Sequence, residues 1–201
     1  AVSSSISGEG KTFVCLNLAG ILAMTGKKTI LIDLDLRKPK VHHGFETNNN
    51  LGMSTILSSQ TTISDCIQKS SLENLDFISA GPIPPNPSEL ILSSKMGETL
   101  EELKTMYDII IIDNPPVGLV SDGIGLLSIA DCPIYVFKAN YSKRSFTHRV
   151  KELIEVQKIK GLSIILNAVD IKRNGYGYGY GYGNYYEETS KKTWWQKLLR
   201  R

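Results

Sequence analysis

Four isoleucines closed by an aspartate, Ile109–Asp113, constrain this chain more than any other feature. A strand that is apolar on both faces has to be covered on both sides, which is the setting of a central strand in a parallel sheet. Four other β-rich runs accompany it: Thr29–Asp33, residues 75–80, Ile134–Lys138 and residues 162–167. Helical periodicity fills the intervals, over residues 11–25 with Gly26 as C-cap, and near residues 88–106, 122–130 and 143–159. Strands alternating with helices predict an α/β fold, a doubly wound and mostly parallel sheet with helices on both faces. With 41% hydrophobic residues, a chain of 201 can bury such a core.

Three segments carry chemistry. Residues 5–12 read S-I-S-G-E-G-K-T, a phosphate loop of the type G-x-x-x-x-G-K-[ST] with Ser5 at the place of its first glycine. Gly8 and Gly10 let backbone N–H groups close around phosphate oxygens, with Ser7 and Glu9 in the same nucleotide-binding loop. Lys11 reaches the outer phosphates, the Thr12 hydroxyl ligates Mg²⁺, and the helix beginning there points its positive end at the anion. Residues 30–39 read I-L-I-D-L-D-L-R-K-P, so Asp33 and Asp35 lie two apart at a strand's carboxyl end, the edge where open α/β sheets bind ligands. One carboxylate can orient magnesium while the other accepts a hydroxyl proton. Residues 109–116, I-I-I-I-D-N-P-P, form a Walker-B type strand that offers Asp113 to the metal, and Pro115 and Pro116 stop it. The cofactors implied are ATP and Mg²⁺.

Only Ala1 and Val2 precede the serine-rich turn, so the strand that normally feeds a phosphate loop is expected to be truncated, either cut away or missing because the chain is an incomplete fragment. The core pattern fades after about Asp170, dividing the chain into residues 1–172 and a tail, 173–201. The tail reads as flexible, because its G-Y-G-Y-G-Y-G-Y-G repeat puts a glycine, costly to order, at every second place. Six of the nine tyrosines fall there: Tyr176, Tyr178, Tyr180, Tyr182, Tyr185 and Tyr186. Residues 187–201 hold five basic side chains against two acidic ones, so the whole net charge of +3 sits at that end. A balance this modest argues against nucleic acid as a partner. The basic aromatic segment 194–201 suits an anionic membrane surface or a docking partner as well as solvent. Cys15, Cys66 and Cys132 lack metal-ligand spacing and fit a reducing compartment.

The loop S-G-E-G-K-T, the segment I-D-L-D-L-R-K-P, the Walker-B strand with P-P, the stretch G-P-I-P-P-N-P-S-E-L-I and the terminal tyrosine cluster occur in the order and spacing of one family. On them the chain resembles the bacterial tyrosine kinases, P-loop kinases of capsular and exopolysaccharide export. Ser7 replaces that family's usual proline, and D-N-P-P its D-T-P-P. The resemblance implies ATP-dependent autophosphorylation of the six tail tyrosines, the tail of one subunit entering its neighbour's active site in a homo-oligomeric ring. It implies Asp33 as acceptor of the tyrosine proton, with Lys11 and Asp35 beside it in catalysis and Asp35 and Asp113 with Thr12 at the metal. It also implies a place at the cytoplasmic face of the bacterial membrane, a polysaccharide co-polymerase region in cis or as a separate activator, and a cognate tyrosine phosphatase. Asn167, ending its strand, stands where related P-loop ATPases often meet adenine, and it reads equally well as a strand-end Asn in a turn. Two other readings compete. A positioning ATPase of the septum-site or plasmid-partition type carries a signature lysine where this chain has Ile6. A non-catalytic nucleotide-binding scaffold would leave Lys11, Thr12, Asp33, Asp35 and Asp113 without employment.

Overall fold

β-branched residues dominate the runs that become strands, and the computed structural model, which describes residues 1–118 and 122–170, shows how they are ordered. The elements follow as β1 (Val2–Ser4), α1 (Lys11–Met24), β2 (Thr29–Asp33), α2 (Val41–Gly44), α3 (Met53–Leu57), α4 (Ile63–Cys66) and β3 (Gln68–Lys69). Then come β4 (Leu75–Ile78), α5 (Pro87–Ile91), α6 (Ser94–Met106), β5 (Ile109–Asp113), α7 (Asp122–Ile129), β6 (Ile134–Lys138), α8 (Thr147–Glu155) and β7 (Ser163–Asn167). Seven strands form one sheet in the order β3-β4-β2-β5-β1-β6-β7. Every pairing is parallel except that of the two-residue β3 with β4. The chain moves outward from β1 through β2 to β4, returns to insert β5, and only then crosses to β6 and β7. The order therefore reverses beside β1, and a crevice opens there at the strands' carboxyl ends.

A short first strand is present where the sequence reading placed a serine-rich turn. Val2–Ser4 pairs with β6 through Val2↔Ile134, Ser3↔Tyr135 and Ser4↔Val136, and with β5 through Val2↔Asp113. Ser3 and Ser4 read as the opening of a turn because short hydroxyls compete for backbone partners. Buried in the sheet, they satisfy that demand locally: Ser3 Oγ donates to the Pro115 carbonyl at 2.8 Å, and Ser4 Oγ to that of Ile6 at 3.0 Å. β1 is three residues long against five in β2, β5 and β6.

Alternation sorts the core. Ile30, Ile32 and Ile112 pack with Met53, Ile56, Met96 and Leu103 under α3 and α6, while Tyr135 packs with Val150 and Leu153 of α8. α1 lies against β1, β2 and β5. The helix expected near 88–106 is two helices: Ser93, extended at the N-cap position of α6, breaks the run, and its hydroxyl bonds back to the Leu90 carbonyl at 2.7 Å. Three helices of four or five residues between 41 and 66 escape periodicity, being barely one turn long. No helix among the described residues is long and apolar enough to cross a membrane. The six tail tyrosines and the segment 194–201 lie outside the described residues.

Candidate nucleotide site

The loop after β1, the end of β5 and the turn after β2 meet at the switch point. They line a cleft of about 270 Å³ whose walls include Ser7, Gly8, Gly10, Lys11, Thr12, Asp35, Lys40 and Pro116. Gly8 and Gly10 have φ of 91° and 97°, in the left-handed region that favours glycine. The backbone N–H groups of Ser7, Gly8 and Gly10 have no acceptor among the described residues, as an anion cradle requires.

Lys11 opens α1 and is almost wholly buried, with its Nζ 2.7 Å from Asp113 Oδ1 and 3.3 Å from Asp35 Oδ2. Burial works against its ammonium, but the Asp113 carboxylate, followed by Asp35, outweighs that and raises its pKa. Thr12 Oγ1 donates to the other oxygen of Asp113 at 2.6 Å. Two carboxylates thus share one ammonium in a space nearly closed to water, and one of them, Asp113, also accepts the Thr12 hydroxyl. No set of three His, Cys, Asp or Glu side chains among the described residues could hold a metal by itself. Magnesium takes one or two carboxylates and completes its shell with water and phosphate oxygens, and Asp35, Asp113 and the Thr12 hydroxyl are oxygen donors of that kind. The Cys15 thiol lies 3.6 Å from Asp113 Oδ1, its pKa pushed up by burial and by that carboxylate.

The two aspartates at the end of β2 separate. Asp35 stands on the cleft wall, with its own Oδ1 accepting the Lys38 N–H at 3.2 Å. Asp33 is fully buried behind it: Oδ1 accepts the Asp35 N–H at 3.0 Å, and Oδ2 accepts those of Lys40 and Val41 at 3.1 and 3.0 Å. Burial, and then the neighbouring Asp113, push its pKa up to about 7 against the pull of those donors.

On the other side the loop is held from β6 and β7. Glu9 is fully buried and turns away from the cleft: Oε2 accepts the Ile6 N–H at 2.8 Å, and Oε1 accepts a short hydrogen bond from Ser142. Asn167 Nδ2 donates to the Glu9 carbonyl at 3.1 Å, and its amide fills the space a Cβ on Gly10 would need. The Tyr141 hydroxyl donates to the Ser7 carbonyl at 3.1 Å. At the opposite rim, Arg37 Nη2 bonds Asp122 Oδ2 and Ser88 Oγ, both at 2.7 Å. Sequence reasoning did not single out Tyr141, Ser142, Lys40, Ser88 or Asp122. Only the polar interruption A-N-Y-S after a buried strand hinted at the first two.

A family profile described as an AAA domain matches residues 1–165. The tyrosine-protein kinase YwqD of Bacillus subtilis is 38% identical over 173 residues, 86% of this chain and 73% of that protein. The kinase domain of the Escherichia coli tyrosine kinase ETK superposes with a TM-score of 0.78 at 30% identity, over 90% of this chain and 71% of that one. The septum-site protein MinD of Pyrococcus horikoshii, solved with Mg-ADP, shares the fold less closely, with a TM-score of 0.64 at 26% identity over 81% of this chain and 65% of its own. A glycine-lined cleft with Lys11 and Asp35 on its wall, and relatives of this extent that are tyrosine-protein kinases, give one conclusion: the chain belongs to the bacterial tyrosine-kinase family of P-loop kinases.

Proposed function

We propose that the chain transfers the γ-phosphoryl group of Mg-ATP to tyrosine hydroxyls, foremost its own Tyr176, Tyr178, Tyr180, Tyr182, Tyr185 and Tyr186. The observation that carries this is the buried Lys11–Asp113–Asp35 cluster, with Thr12, on the wall of a glycine-lined cleft. Phosphoryl transfer asks for in-line placement and neutralised charge more than for a covalent catalyst. Ser7, Gly8, Gly10 and Lys11 would hold the phosphates, Glu9 shaping the loop from behind. Thr12, Asp35 and Asp113 would hold magnesium, which when bound supplies charge neutralisation at the phosphates. Asn167, at the loop's edge, would face the base. In the transfer the bond from the γ-phosphorus to its bridging oxygen breaks and one to the tyrosine oxygen forms. The phenol proton is assigned to Asp33, whose pKa near 7 suits a base at neutral pH; Asp33 is fully buried behind Asp35, so the assignment requires its carboxylate to be uncovered when the acceptor tyrosine binds.

The tail would act in trans within a ring, controlled by the charge that each phosphate adds, roughly −1.5 to −2. Capsular or exopolysaccharide export at the cytoplasmic face of the membrane, a co-polymerase partner or activator and an opposing tyrosine phosphatase complete the reading. Incubation of the full chain with Mg-ATP, followed by phosphosite mapping by mass spectrometry, tests it. Phosphate on the tail tyrosines, lost in Lys11→Met and Asp33→Asn, is the expected result. ATP hydrolysis with unmodified tyrosines would favour a positioning ATPase instead.

A further inference from the structure

One buried acid of the loop touches neither the phosphate side of the cleft nor the ionic cluster. Glu9 sits in the middle of the phosphate loop, yet its carboxylate points into the protein and does not line the cleft. A buried carboxylate is costly unless hydrogen-bond donors meet it. Two do: the Ile6 N–H from within the loop, and the Ser142 hydroxyl from the turn after β6. Ser142 Oγ itself accepts the Lys138 N–H at 2.8 Å, so its single hydrogen is committed to Glu9. The contact joins residues 133 apart in sequence. It ties the loop's backbone, through Ile6 and Glu9, to the last residue of a buried central strand. Around it the Tyr141 hydroxyl bonds the Ser7 carbonyl and Asn167 bonds the Glu9 carbonyl. Carbonyls drawn outward in this way leave the alternate groups, the N–H groups of Ser7, Gly8 and Gly10, facing the cleft without internal acceptors.

We infer that Ser142, acting through Glu9, is a positioning residue that holds the phosphate loop open for a nucleotide's phosphates before they arrive. The inference rests on the nucleotide-binding reading of the cleft. Preorganisation of this kind is read as affinity, because a loop that must first be ordered spends binding energy on ordering itself. Ser142 touches neither phosphate nor acceptor, so its removal acts on phosphate binding and leaves the groups of the ionic cluster in place.

The test is isothermal titration of the full chain with Mg-ADP, beside thermal melting of the nucleotide-free chain. Ser142→Ala is expected to weaken Mg-ADP about tenfold, the scale of a buried carboxylate left one donor short. Ser142→Thr keeps the hydroxyl and is expected to bind as the parent does. Ser142→Cys retains the side chain's shape with a weak donor and falls between them, which keeps the inference testable if the alanine variant does not fold. A lower melting temperature with an unchanged dissociation constant in the alanine and cysteine variants would assign Ser142 to stability alone and overturn the inference. Failure of the parent chain to bind Mg-ADP would overturn the nucleotide reading and this inference together; binding by the parent that the variants share equally sinks only the inference.

Discussion

The phosphate loop is held differently on its two sides. Toward β2 and β5 the hold is ionic, with Lys11 between Asp113 and Asp35 in a nearly dry pocket. Toward β6 and β7 it is made of hydrogen bonds, from Tyr141, Ser142 and Asn167 to Ser7 and Glu9. Buried ion pairs recover little net stability but respond strongly to a change of partner. Hydrogen bonds of the second kind contribute about 0.5–1.5 kcal/mol each and fix shape. On the proposed reading, charge that would change partners on nucleotide binding is kept on one side, and the geometry that would stay fixed is kept on the other.

Lys11→Met attacks the ionic side most severely. It leaves Asp113 and Asp35 buried without their cation, and the expected loss is ~3–5 kcal/mol in denaturant unfolding of the nucleotide-free chain, with phosphoryl transfer abolished. Unchanged stability would mean that the two carboxylates are not held as a charged cluster. Asp33→Asn comes next and separates the two β2 aspartates. Its amide would turn a donor toward one of three backbone N–H groups, so a loss of about 2 kcal/mol is expected, against under ~1 kcal/mol for Asp35→Asn at the cleft wall. Phosphosite mapping should show both variants inactive, for different reasons: Asp35→Asn through weakened magnesium binding, Asp33→Asn with magnesium binding retained.

Asp33 also carries a pH signature. Its folded pKa, about 7, lies above the ordinary carboxylate value of about 3.9. Between those values the folded chain binds the extra proton, so stability falls as pH rises from about 4 to 7 and this contribution is flat above. The slope approaches about 1.4 kcal/mol per pH unit at its steepest. Denaturant melts of the nucleotide-free chain across this range, compared with Asp33→Asn, isolate the contribution. A slope that survives the substitution belongs to another group.

The same division separates what could be read from sequence from what could not. The ionic side was legible residue by residue: Lys11, Thr12, Asp35 and Asp113 converge because each follows a strand or opens a helix, and strand ends meet at a switch point whatever the loops do. Thr29–Asp33, Ile109–Asp113 and Ile134–Lys138 coincide with their apolar runs. On the hydrogen-bonded side Glu9 and Asn167 were legible but Ser142 was not, since it is tied in only through a contact 133 residues away and a lone serine in a turn carries no period. Ser3 and Ser4 read as a turn for a related reason. Ser3 and Ser4 are poor strand residues by composition, and only their pairing with β6 and a hydroxyl bond to Pro115 make them a central strand. The different depths of Asp33 and Asp35 likewise needed the turn at Lys40 and Val41, which closes over the first and leaves the second at the cleft wall.

The smallest expected effect lies at the rim, where the ionic side meets solvent. Arg37 pairs with Asp122 at 2.7 Å, and Ser88 donates to the same carboxylate oxygen at 2.9 Å. This joins the turn after β2 to the starts of α5 and α7. The Arg37 side chain is 40% exposed while that of Asp122 is 8% exposed, so water screens one partner only. Arg37→Ala should therefore cost about 1 kcal/mol, above an ordinary surface pair because Asp122 stays buried, and far below Lys11→Met because Ser88 still reaches it. A double-mutant cycle of Arg37→Ala with Ser88→Ala measures whether the two donors compensate. Coupling that makes the double loss exceed the sum of the single ones would show that Asp122 needs either partner but not both. Strict additivity would mean the ionic character ends at the cleft wall and the rim is held by hydrogen bonds, as the β6 and β7 side is.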